Sequence, residues 1–192
     1  MSVDRNRWSD LIELLGRVNV TFVDGLTDPE IAAIESKFGF RFPLDLRGFL
    51  QTALPKGSSF PDWRSEDDAK IRDWLSWPLD TMIFKLEHKE FWLPEWGQRP
   101  TRITDAKKIV ERCVSKAPRL IPINGHGMMP DRPHKGGNPV FSVHQADIIY
   151  YGFNLDDYLR HEFCLPGRKP WPLRVQSIDF WHIDRWEEMK RA

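Results

Sequence analysis

Four of the six histidines, His126, His134, His144 and His161, crowd into one stretch, with Asp131 and Asp147 between them. Imidazole and carboxylate are the ligands a zinc ion takes, about four of them in a tetrahedron. The spacing does not produce H-x-x-x-H or H-E-x-x-H, which would set two imidazoles on one helix face. Histidines in a loop more commonly bond their own loop. The reading is therefore no metal site and no cofactor, with a metal-dependent enzyme built on the 126–147 His/Asp cluster as the lesser alternative. Nucleophilic chemistry fares no better. Cys113 and Cys164 both fall in apolar patterns and read as two reduced, buried thiols. Ser142 stands between Phe141 and Val143 in a strand pattern, and no G-x-S-x-G elbow occurs. Gly125-His126-Gly127 and Gly136-Gly137 do not lie between a strand and a helix in the order a phosphate cradle needs, so they read as turn glycines. The acids are scattered over helix faces without an evident acid/base pair. The expectation is a protein with no catalytic residues.

The elements that would position these groups are mostly short. Residues 8–18 carry Trp8, Leu11, Ile12, Leu14, Leu15 and Val18 at helical spacing, and Asp24-Gly25 marks a turn. Thr27 with Glu30 forms a capping box, and Leu26 with Ile31 a hydrophobic staple. Gly39 ends that helix. Pro43 opens another with Leu46, Phe49 and Leu50 on its apolar face, and Pro55-Lys56-Gly57 ends it. Residues 61–80 read as an acidic, aromatic connection around a short helix with Ile71, Trp74 and Leu75 inward. Thr81–Leu86 reads as a strand, and Phe91–Gly97 as an aromatic turn.

Residues 102–117 form an amphipathic helix. Ala106, Val110, Cys113, Val114 and Ala117 share one face, and Arg102, Lys107, Lys108, Arg112 and Lys116 lie mostly elsewhere. That basic face could attract an acidic partner. Pro118 stops the helix. Leu120–Ile123 is a strand whose Pro122 implies an edge or a strand start. A loop over 124–138 follows, then a hairpin of Pro139–Val143 and Asp147–Tyr151. Asn154 caps a helix with Leu155, Tyr158, Leu159 and Phe163. An extended, proline-rich tail spans 168–178, and a last helix carries Phe180, Trp181, Ile183 and Trp186.

With 192 residues, 41% hydrophobic and 29% charged, the chain fits one domain with a real core. The 28 basic residues balance the 28 acidic ones, which argues against nucleic acid as a partner. No apolar run reaches membrane-spanning length, and the start MSVDRNRW lacks a signal peptide's apolar stretch. The expected location is the cytoplasm. Nine tryptophans are many for this length. Trp63, Trp74, Trp77, Trp92 and Trp96 cluster, and core packing is the first reading, a partner-facing surface the second.

Two blocks carry a family resemblance. The first runs from Leu26-Thr27-Asp28-Pro29-Glu30-Ile31 to Phe42-Pro43-Leu44-Asp45 and Phe49-Leu50. The second is Gly137 through Gly152, followed by Asn154-Leu155, Tyr158-Leu159 and Glu162-Phe163. Phe91-Trp92-Leu93, Glu95-Trp96-Gly97 and Leu120–Ile123 join it. Together they resemble the SUKH superfamily, which includes the yeast Smi/Knr regulators and many bacterial relatives. Pro55-Lys56-Gly57 departs from the Asn-Gly turn usual there, and the tail beyond Phe163 has no counterpart. The resemblance implies an α+β domain over 1–192, a mixed sheet flanked by helices. Residues 1–20 would form its N-terminal helix and 164–192 a C-terminal extension. It further implies a non-enzymatic protein-binding role of immunity type, neutralising a bacterial toxin by direct contact, or else regulatory scaffolding. The partner-binding residues expected are Trp92 and Trp96 in the aromatic segment with His126, Asp131 and His134 in the 126–134 loop. No oligomeric state follows.

Overall fold

Capping chemistry at Thr27 sets the first fixed point of the fold. The computed structural model describes residues 6–88, 91–144 and 147–181. Helix α1 (Asn6–Arg17), strand β1 (Thr21–Asp24), helix α2 (Asp28–Phe38), helix α3 (Leu44–Thr52) and strand β2 (Ala53–Lys56) come first. Thr27 accepts from the Glu30 N–H, and the Glu30 carboxylate accepts from the Thr27 N–H at 2.8 Å. Leu26 and Ile31 are both buried, as a staple requires. Gly39 ends α2 with φ of 68°, a conformation in which a Cβ is costly. Trp8, Leu11 and Leu15 recur every three to four residues on α1 and are buried. Trp8 meets Phe49 of α3 edge-on, ring centres 5.9 Å apart. Strands β1 and β2 pair antiparallel, Thr21 opposite Lys56. Neither strand was expected. Each has four residues, too few to show alternation, and β2 occupies the segment read as a helix-ending turn.

Arg64 locks the start of α2 in place. Its Nε and Nη2 donate to the two Glu30 oxygens at 2.6 and 3.1 Å, and Nη1 donates to the Asp24 carbonyl at 2.8 Å. The guanidinium first, then the hydrogen bonds from Thr27, hold the Glu30 carboxyl at about 2 against an ordinary 4.5. A carboxyl made more acidic by folding adds stability above its unfolded pKa. That contribution is lost as pH falls from about 4.5 through about 2. The pair is about one-third exposed, so solvent screening keeps the effect modest. Glu30→Gln is expected to lower the urea midpoint at pH 7 and to bring it close to the parent's at pH 2. Parallel urea titrations at the two pH values check this.

The sheet consists of β3 (Leu120–Asn124), β4 (Gly127–Pro130), β5 (Val140–His144) and β6 (Asp147–Gly152), in that spatial order and antiparallel throughout. This corrects the mixed sheet expected. Parallel neighbours need a crossover of a dozen or more residues, and only two residues separate β3 from β4 and β5 from β6. The β5–β6 hairpin is the one expected, with His144 opposite Asp147. β3 lies at the edge, where the missing N–H of Pro122 is tolerated. β4 falls inside the stretch read as a loop.

Successive strand residues point to opposite faces. Ile121, Ile123, Met129 and Val140 enter one core with α1, α2, α3 and helix α6 (Leu155–Glu162). Leu120, Met128, Phe141, Val143 and Ile148 enter a second with helices α4 (Ala69–His88) and α5 (Ile103–Lys116). Cover on both faces explains why β3 and β4 are buried along their whole length and show no polar alternation.

Helix α4 corrects two expectations at once. Thr81–Leu86 is no strand, and the helix is no short one: it runs for 20 residues. Its buried positions Ile71, Trp74, Leu75, Pro78, Thr81, Met82 and Leu86 follow a helical period across the proline. Pro78 gives up one backbone hydrogen bond but adds its ring to the apolar stripe. No helix among the described residues is long and apolar enough to cross a membrane. Both cysteines are free, yet neither is buried as expected: Cys113 is half-buried and Cys164 exposed. The face of α5 carrying Cys113 is only partly covered, and Cys164 lies just past the end of α6. The last expected helix falls largely outside the described residues. Of its anchors, Trp181 is buried and Phe180 half-buried.

Candidate functional site

The two resemblance blocks meet at one carboxylate. Asp45, 3% exposed, accepts from the Gly137 N–H at 2.7 Å and from Arg7 Nη1 at 2.8 Å. The start of α3 thereby clamps the loop between β4 and β5 and the first turn of α1. Asn138 closes the same loop. Its Nδ2 donates to the Pro130 and Pro133 carbonyls, and its Oδ1 accepts from Gln176. Asp157 accepts from the Phe153 N–H and from Arg168 Nε. These buried polar groups bind the chain to itself, as buried polar atoms must.

The five expected binding residues do not form one surface. Trp92 and Trp96 stand edge to face with centres 5.3 Å apart and pack against the second core. Trp92 donates to the Gly97 carbonyl at 2.6 Å, and Trp96 stacks with Phe180. Both are half-buried, so this aromatic segment is chiefly packing. His126 lies across the sheet end, its ring 5.5 Å from Tyr151 and 6.1 Å from His144. The His161 ring lies 4.6 Å from that of Tyr151. His134 is exposed on the β4–β5 loop. Among the described residues no group of three or more His, Cys, Asp or Glu side chains could hold a metal ion. Ser142 is buried in β5.

Asp131 lines a cleft, about 590 Å³, between the end of α2, the helices α4 and α5, and the start of β3. Its carboxylate accepts from the Arg119 N–H at 2.7 Å and lies 3.5 Å from Arg132. Burial pushes its pKa up, against the pull of those two donors. Leu75, Leu79, Val114 and Leu120 give the cleft an apolar lining. Its cations are engaged internally. Arg119 donates to the Phe38 carbonyl at 2.6 Å, capping α2, and Arg132 donates to the Lys116 and Ala117 carbonyls, capping α5. Arg72 bonds Asp68 and lies over the Phe38 ring. The cleft could admit a few side chains, but its charges already serve two helix ends. Its walls come from five separated segments, which sequence reading had no signal to join.

Exposure separates the tryptophans more sharply. Trp8, Trp63, Trp74 and Trp181 are buried, Trp77, Trp92 and Trp96 half-buried, and Trp171 is 42% exposed. Core packing accounts for the 63–96 cluster. Trp171 stands apart from it in the proline-rich tail.

No protein-family model, curated protein or solved structure matches the chain. The fold and the site define an α+β protein with an antiparallel four-stranded sheet covered by helices on both faces.

Proposed function

We propose that this chain is a non-enzymatic protein-binding domain of SUKH type, an immunity protein that neutralises a bacterial toxin by direct contact in the cytoplasm. The observation that carries the reading is the bond between Asp45 and Gly137. It supports the reading by bringing the two stretches behind the resemblance together at one carboxylate, across 92 positions of sequence. The partner is a protein, with neither nucleic acid nor membrane as target. The buried polar groups serve the fold, leaving recognition to the surface.

Co-expression tests the reading. Cells producing a toxin encoded beside this protein are expected to survive when the protein is present and to die without it. Equal killing in both cultures, with the protein soluble and folded, would count against it.

A further inference from the structure

We infer that residues 169–174, Lys-Pro-Trp-Pro-Leu-Arg, form a rigid strap that docks into an apolar groove bordered by carboxylates on the protein partner. The inference rests on the protein-binding reading above and names its contact surface. Every residue of the strap is exposed, and Leu173 stands wholly in solvent at 106% of its reference area. A leucine wholly in solvent two positions from a tryptophan that is 42% exposed needs an explanation beyond folding, because neither belongs to the two core clusters.

The strap is held at both ends. On one side Arg168 Nε donates to the buried Asp157 at 2.9 Å. On the other, Gln176 donates to Asn138 at 2.8 Å, and its carbonyl accepts from the Tyr150 hydroxyl at 3.2 Å. Trp171 leans edge-on against Phe153, ring centres 6.2 Å apart. Pro170 and Pro172 fix two φ angles and remove two N–H donors. A proline-stiffened segment loses little conformational entropy when bound, which is why extended proline-rich segments serve as ligands for aromatic-lined grooves. Charge selects the kind of groove. From Pro166 to Ser177 the charged residues are Arg168, Lys169 and Arg174, with no acid among them. Asp157 answers Arg168, leaving Lys169 and Arg174 to flank Trp171 and Leu173. A cationic, apolar strap matches a groove with carboxylates at its rim.

The test pans the full chain against a displayed library of protein fragments from its source organism, then compares each enriched clone on the parent, Leu173→Asp and Trp171→Ala. Leu173 touches solvent alone, so Leu173→Asp is expected to keep the parent's circular dichroism and melting temperature. Enriched clones are expected to lose on the order of tenfold or more in affinity for both variants, and to weaken as salt rises. Clones that bind the parent and Leu173→Asp alike overturn the inference, as does a panning that enriches nothing sensitive to the strap. Two further results also overturn it: a parent dimer abolished by Leu173→Asp, which makes a second copy the occupant, or strap-dependent binding to phosphatidylglycerol vesicles. A toxin that binds both chains equally defeats the strap and leaves the immunity reading standing. Strap-dependent clones with no toxin among them do the reverse.

Discussion

Asp45→Asn is expected to destabilise the protein by about 3 kcal/mol and to loosen the loop between β4 and β5. The carboxylate is 3% exposed and accepts from both Gly137 and Arg7. Hydrogen bonds to a charged group contribute roughly 1.5–3 kcal/mol each, and a buried donor left unmatched costs about as much again. Asparagine keeps the shape but replaces one acceptor by an N–H pair, which then faces another donor. Arg7 and Gly137 both keep access to water, so most of the loss falls on the buried side chain at position 45, whose new N–H pair has no acceptor. Urea denaturation measures the total. Amide exchange locates it: the Gly137 N–H should exchange much faster in the variant, while the helix α2 amides keep protection close to the parent's under native conditions. An unchanged Gly137 rate would mean that Asp45 does not hold the loop.

The second large effect lies on the other side of the sheet end. A Cβ on Gly127 would stand 2.1 Å from the Tyr158 hydroxyl oxygen and 2.3 Å from the ring carbon that bears it. Tyr158 cannot step aside. It is fully buried, its hydroxyl donates to the Asn124 carbonyl at 3.0 Å, and the same side chain fills the space against Gly152. Burial raises the pKa of that phenol, so it remains a neutral donor. Gly127→Ala is therefore expected to cost about 3 kcal/mol, the upper part of the range for overpacking. Tyr158→Leu opens space and drops the hydroxyl, at a cost of its own. The double variant should be less destabilised than the sum of the two singles, by on the order of 1 kcal/mol or more. Thermal denaturation of the four proteins gives the coupling. Strict additivity would show that the two positions do not collide.

Much of the scaffold was legible because local chemistry decided it. Thr27 with Glu30, Gly39 and Asn154 end or begin helices through contacts within four residues, and those contacts form as read. The β5–β6 hairpin was legible from its runs of Val, Phe, Ile and Tyr on either side of a short connection. Long-range cover hid the rest. Met128-Met129 has no alternation because both faces of β4 are buried, so a strand read as loop. Thr81–Leu86 alternates weakly and reads as a strand, yet Thr81, Met82 and Leu86 continue the buried stripe of α4 past Pro78. The site was harder still. Asp131 belongs to a loop rich in Gly, Pro and His, but the residues lining its cleft come from α2, α4, α5 and β3. Trp92 and Trp96 lie in an aromatic turn segment but are half-buried against the second core. Trp171 sat in a tail noted only as extended and proline-rich. Its exposure is a three-dimensional property, set by anchors at Asp157 and Asn138 that no local pattern announces.

The central claim, that this chain acts by binding a toxin rather than by catalysis, is tested most directly by calorimetric titration of the purified protein with any candidate toxin domain encoded beside it. The expected result is a one-to-one complex with a dissociation constant well below about 1 μM, roughly −8 kcal/mol or tighter, in which toxin activity disappears at equivalence. No heat and no inhibition at tens of micromolar of folded protein, on the order of ten times that threshold, would contradict it.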